Sequence, residues 1–190
     1  PLYSSAASDV YKRQLSALAK KTLERDELIE VEPLPITDGG EGFVEIFTEG
    51  GSGDLVKVKA RDSLGRKHET YIGICELVEL PAGARKLLKL PVDGKVGVIE
   101  MASISGLAQL SFEERNAWKT SSIGVGDLIK KSGELGVNAI LLGIGGSSTN
   151  DAGIGALSAL GLEIFDREGL SNSFPCPESW PKIGEFKKLS

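Results

Sequence analysis

The sequence predicts an α/β fold, and three observations carry that prediction. A helical pattern at 121–135, an apolar run at 137–142, a glycine-rich loop at 143–151, a second helical pattern at 152–160 and a strand at 162–165 follow the grammar of a βαβ unit. The run at 137–142 is apolar without alternation, as a strand buried on both faces of a parallel sheet would be. Glycine, 24 of 190 residues, gathers in loops and turns beside the apolar runs. At about 150 residues per domain the length fits one domain or slightly more, and an apolar fraction of 41% is enough for a packed core.

Each element has its own signal. Residues 1–14 are small and polar, show neither period, resemble translated adapter sequence and begin without methionine, so they are set aside as non-native or disordered. Leu15, Leu18, Ala19 and Thr22 share one face of a helix at 15–25, away from Lys20, Lys21 and Arg25. Ile29 and Val31 mark a strand at 28–34, stopped by Pro33 and Pro35. A loop at 37–42 leads to a short helix carrying Phe43, Val44, Ile46 and Phe47, which Gly50-Gly51 ends. Alternating runs at 55–60 and 68–74 flank Asp62-Ser63-Leu64-Gly65 and read as a β-hairpin. The tight turn Val92-Asp93-Gly94-Lys95-Val96 opens a strand at 96–101. Past Asp166-Arg167-Glu168-Gly169 the pattern fades into a proline-containing stretch that closes no element. The chain reads as incomplete at both ends.

Composition excludes several classes of function. A net charge of -5 repels phosphate backbones and argues against nucleic acid as a partner. No run approaches the roughly 18 apolar residues of a spanning helix, and no signal peptide opens the chain, so no membrane partner is expected. Cys75 and Cys176 lack a CxxC neighbour and read as small buried hydrophobes in a reducing cytoplasm. His68 stands alone among charged residues and reads as solvated rather than metal-binding.

Chemistry concentrates in two glycine loops that carry acids. These are Asp38-Gly39-Gly40-Glu41-Gly42 and Gly143-Ile144-Gly145-Gly146-Ser147-Ser148-Thr149-Asn150-Asp151. Both follow expected strands, at the crevice where open parallel sheets bind ligands. Gly39, Gly40, Gly145 and Gly146 would let backbone N–H groups approach an anion, and a helix starting near Ala152 would point its positive end there. Asp38, Glu41 and Asp151 would hold a divalent cation or take a proton from a hydroxyl. The structural alternative is a capping box from Asp38 and Glu41, with the residues from Ser147 to Asp151 as caps of the next helix. Ser121, Ser122, Gly124 and Gly126 form a third helix entry, open to either reading.

Two familiar anion motifs fail. Gly94-Lys95 is followed by Val96, so no P-loop is present. Gly143-x-Gly145 begins a dinucleotide fingerprint whose third glycine is Ser148, although Asp166 stands where a ribose-binding acid would be. That partial match keeps an NAD-dependent oxidoreductase as the rival enzyme class.

Four ordered blocks resemble a known family. They are Asp38-Gly39-Gly40-Glu41-Gly42; Ile99-Glu100-Met101-Ala102 with Ser105-Gly106-Leu107; Glu114-Arg115-Asn116 with Thr120-Ser121-Ser122 before Gly124-x-Gly126; and Gly145-Gly146-Ser147-Ser148-Thr149-Asn150-Asp151. In order and spacing these resemble the glycerate kinases of bacterial glyoxylate and sugar-acid pathways. The resemblance implies ATP-dependent, Mg²⁺-assisted phosphorylation of D-glycerate, to 2-phosphoglycerate in many members. It implies two α/β domains with mixed or parallel sheets meeting at a cleft, in a chain about twice this long. Here residues 15–50 would begin the first domain and 51–190 would belong to the second. On this resemblance Gly145, Gly146, Ser147 and Ser148 cradle phosphate with Asn150 nearby. Asp38 or Asp151 would be the base or Mg²⁺ ligand with Glu41 beside it, and Arg115 and Lys119 are candidates for the glycerate carboxylate, the alternative being ordinary solvated cations. An inactive folded remnant is the third possibility. Departures from the family pattern are Phe43 for threonine, Ala117 for proline, Val125 for threonine, Ser148 for alanine and Ala152 for glycine. In addition, Lys12-Arg13-Gln14 stands where an Asp-Ser-Phe-Lys motif is expected.

Overall fold

The computed structural model describes residues 5–25, 28–32 and 36–188, with side chains from 14 to 187. Four strands form a mixed sheet in the order β1-β2-β3-β4. β1 (Asp54–Arg61) and β2 (Lys67–Glu76) pair antiparallel around the turn read at 62–65. After a short helix α3 (Ala82–Leu87), β3 (Lys95–Glu100) joins β2 antiparallel and β4 (Ala139–Gly143) parallel. A parallel neighbour needs a crossover. It is supplied by α4 (Ala102–Ser105), a 3-10 turn at Leu107–Gln109 and α5 (Ile123–Glu134).

The sheet is covered on both faces, and β3 shows why. Val96 and Val98 pack with Phe43, Val44, Cys75 and Leu77 under α2 (Phe43–Gly50). Ile99, on the opposite side of the pleat, packs with Ile72, Ile104, Val125 and Leu128 under α4 and α5. A period of two thus splits one strand between two cores. The helix read at 43, its stop at Gly51, the hairpin, the strand after Gly94 and the long helix of the second half all stand as expected.

Other readings are corrected. Ile140 of β4 is 38% exposed, because β4 has a strand on one side only among the described residues; the strand buried on both faces is β3. β5 (Leu162–Asp166) does not return to this sheet after α6 (Ile154–Ala159). It pairs antiparallel with β6 (Ile183–Lys188), preceded by a 3-10 helix at Pro177–Lys182, so the final segment is structured where the sequence pattern fades. α1 runs Ser5–Leu23, through much of the stretch set aside. Neither glycine nor proline interrupts residues 5–23, which gives the helix no local reason to stop. Residues 29–32 are not strand, and Pro33 and Pro35 lie outside the described residues.

Candidate functional site

Because β3 and β4 run parallel, their carboxyl ends lie side by side, with Glu100 the register partner of Gly143. The second glycine loop leaves from Gly143, and the first folds against it. Gly145 N–H donates to the Gly39 carbonyl at 2.8 Å. The approach is backbone on backbone. A Cβ on Gly145 would lie 2.6 Å from Gly40 N, and one on Gly143 would lie 2.7 Å from the Gly39 oxygen. Glycine is therefore required where the two loops touch, which accounts for part of the signal first read as room for an anion.

The crossover closes around the same loop. Leu107 N–H donates to the Gly146 carbonyl at 2.9 Å, and Ser148 N–H and Oγ both donate to the Ser105 carbonyl at 2.8 Å. Thr120 Oγ1 donates to the Ser148 carbonyl at 2.9 Å, and Thr149 Oγ1 to the Thr120 carbonyl at 3.0 Å. Ser148 is buried, whereas Gly146, Ser147 and Asn150 are exposed. Gly146 takes a φ of 68°, and its N–H donates to no acceptor among the described residues. Ser147 Oγ meets the Thr149 carbonyl at 3.0 Å.

The acids have unequal surroundings. Asp38 is exposed, and its Oδ1 accepts the Gly40 N–H at 3.0 Å. Glu41 is half-buried, and its Oε2 has no partner among the described residues. The capping box does not form: the N-cap of α2 is Gly42, φ 84°, with no side-chain cap. Asp151 is 2% exposed and fully engaged. Its Oδ2 accepts Ser122 N–H at 2.7 Å, Ser122 Oγ at 2.8 Å and Gly155 N–H at 3.1 Å, while Oδ1 accepts Gly153 N–H at 3.1 Å. The positive end of the helix after Ala152 is thus already occupied by a carboxylate of the chain itself. Ser121 and Ser122 belong to this cap, which resolves the third helix entry as structural. Gly126 there admits α6, since a Cβ would lie 2.7 Å from that of Ala159.

One functional group escaped the sequence reading. Glu100, 5% exposed at the end of β3, accepts Val44 N–H at 3.0 Å and faces the N–H groups of Phe43 and Gly42. Burial, against those hydrogen bonds, pushes its carboxyl up to about 7, and the neighbouring Glu45 adds to the rise. The available signal was an acid ending an apolar strand, inside a motif already noted.

Other candidates stand outside this hydrogen-bond network. Arg115 donates Nε to the Leu110 carbonyl at 3.4 Å, and Lys119 is exposed; neither bonds to a glycine loop among the described residues. Asp166 uses Oδ1 to accept the N–H groups of Glu168 and Leu170, at 2.9 and 2.8 Å, which makes it a turn residue. With β5 outside the main sheet, the dinucleotide reading loses its strand and its acid. Among the described residues no group of three His, Cys, Asp or Glu side chains is disposed to hold a metal. Asp151 does not fit a Mg²⁺ ligand, because it is buried and both its oxygens already accept N–H or O–H donors. Both cysteines are buried and free, and burial pushes the Cys75 thiol up.

Comparison with known proteins decides the family. The family model described as "Glycerate kinase family" matches residues 4–184. The chain belongs to the glycerate kinase family. It is 38% identical over 168 residues to the glycerate kinase of Haemophilus influenzae, covering 85% of this chain and 40% of that one. It is 35% identical over 169 residues to the glycerate 2-kinase of Escherichia coli, again over 40% of the relative. A crystal structure assigned as glycerate kinase 2 from Salmonella typhimurium LT2 superposes with a TM-score of 0.66 at 31% identity, covering 90% of this chain and 42% of that one. The chain thus spans about 40% of the length of the curated relatives it matches. Nothing in this kinship favours the oxidoreductase alternative. Phe43, one of the departures from the family pattern, is 7% exposed and packs against Phe47 with ring centroids 4.7 Å apart and planes tilted by 47°, so its bulk points into the core. No described helix is long and apolar enough to cross a membrane.

Proposed function

We propose that the protein transfers the γ-phosphoryl group of ATP to a hydroxyl of D-glycerate, giving phosphoglycerate, with 2-phosphoglycerate the favoured product. The observation that carries this reading is the meeting of the two glycine loops at the carboxyl ends of β3 and β4, in a chain of this family. Phosphoryl transfer asks the protein mainly for positioning and for donors around the phosphates. Gly146 and Ser147, with Gly145 and Asn150 beside them, offer exposed backbone for that purpose, and the Gly146 N–H is unengaged among the described residues. Gly39 and Gly40 form the facing wall. Asp38, exposed at the mouth, orients the attacking hydroxyl and takes its proton, and Glu41 stands behind it. Asp151 and Ser148 hold the second loop rather than touch substrate. Arg115 is the cation we assign to the glycerate carboxylate. Mg²⁺, which would neutralise charge between the phosphates, fits Asp38 or Glu41 but not Asp151. The two-domain cleft architecture is part of the same proposal, and two buried free thiols suit a reducing cytoplasm.

The test is ³¹P detection of phosphoglycerate from ATP and D-glycerate. It is run on the chain and on a chimera in which this segment replaces the matching 168 residues of the Haemophilus influenzae relative. Product from the chimera, lost at least 100-fold in Asp38→Ala, is expected; a folded chimera forming none would overturn the assignment.

A further inference from the structure

Glu100 has a place in the fold that its role in the sheet does not require. It ends β3 opposite Gly143, the residue from which the second loop departs. Its side chain leaves the sheet and accepts the Val44 N–H at the start of α2, where the first loop ends. The next residue, Met101, donates its N–H to the Gly143 carbonyl at 2.8 Å. Two successive residues are thereby bonded toward the two loops, Glu100 to the first and Met101 to the second, and the only direct backbone hydrogen bond between the loops among the described residues is Gly145 N–H to the Gly39 carbonyl. α2 has no side-chain cap of its own, so the Glu100 carboxyl is what fixes its first turn.

We propose that Glu100 is a positioning residue for phosphoryl transfer, holding the 38–42 loop against the 143–151 loop through its bond to Val44. The inference rests on the proposed function for its consequence but on the hydrogen bonds alone for its geometry. Asp38 follows from that geometry, because no other side-chain hydrogen bond ties the 38–44 segment to the sheet among the described residues. Shape and one acceptor oxygen are what the role needs, so glutamine should serve and alanine should not.

The test is amide hydrogen exchange on the full chain, comparing wild type, Glu100→Ala and Glu100→Gln. Gly145 and Val44 report the loop contact, and Val58 in the β1–β2 hairpin reports global stability. Glu100→Ala should speed exchange at Gly145 and Val44 at least tenfold while Val58 changes less than threefold, and Glu100→Gln should return both to within threefold of wild type. In the active chimera, Glu100→Ala should raise the KM at least tenfold with kcat within threefold, whereas a merely structural residue would lower the active fraction and leave KM alone. Unchanged Gly145 exchange in Glu100→Ala, or an equal rise at Val58, would overturn the proposal. If Glu100→Ala does not fold, Glu100→Gln decides: Gly145 protection lost in that variant while Val58 is kept would overturn it, and protection retained supports it. A wild-type chimera without turnover would count against the proposed function, and the exchange result would still decide this one.

Discussion

Ala152 holds a φ of 54°, where the side chain of an L residue crowds its own backbone at a cost of about 1 kcal/mol or slightly more. Glycine, which the family resemblance implies there, escapes that cost and gives back a few tenths through its freer unfolded chain. Ala152→Gly should therefore raise stability by roughly 0.5 to 1 kcal/mol, read as a melting temperature higher by about 2 °C; a lower one would show that the site carries no strain. Glu100 makes a pH-dependent prediction. Its folded pKa lies above the ordinary carboxyl value of 4.5, at about 7, so the folded state binds its proton more tightly than the unfolded one. The resulting stability is fully present below about 4.5, declines as pH rises toward 7 and is gone above it, a change on the order of 3 kcal/mol. Glu100→Gln keeps an acceptor without a charge to bury. Its denaturation midpoint should exceed wild type at pH 8, with the difference closing by pH 5; an equal difference at both pH values would refute the shift. Asp151→Ala strands the N–H groups of Ser122, Gly153 and Gly155, and should cost about 3 to 5 kcal/mol in chemical denaturation.

At the scale of elements, the two glycine loops act as one unit. Gly145→Ala places a methyl 2.6 Å from Gly40 N, against backbone that cannot turn aside. It should part the loops, lowering kcat/KM of the chimera at least tenfold while the β1–β2 hairpin keeps its exchange protection. Unchanged kinetics would mean the contact is incidental. Both loops were legible in the sequence, because glycine beside acid after an apolar run is a local pattern. Their contact was not, since residues 39 and 145 meet only through the pairing of β3 with β4. The same gap explains the acids. Asp38 and Asp151 look alike along the chain, yet one lies in solvent and the other is buried under two helix starts. Burial of that kind depends on partners such as Ser122, far away in sequence.

For the whole molecule, elements with strong local periodicity were readable and their neighbours were not. β3, the hairpin and α5 announce themselves through alternation, turn residues and an apolar face. The departure of β5 from the main sheet leaves no local trace, because a strand's residues do not say which strand it pairs with. A buried apolar residue shared by one core, such as Ile99, should cost about 3 kcal/mol when cut to alanine, and should unfold hairpin and crossover together in one transition. Separate transitions for β1–β2 and for α5 would contradict a common core. The central claim is that the two glycine loops form the phosphate-handling site. Titrating the isotope-labelled chain with ATP and following its amide resonances tests it most directly. The account predicts shifts concentrated at residues 38–42 and 144–150, abolished by Gly145→Ala. Shifts confined to the Asp166 turn, with the loops silent, would contradict it.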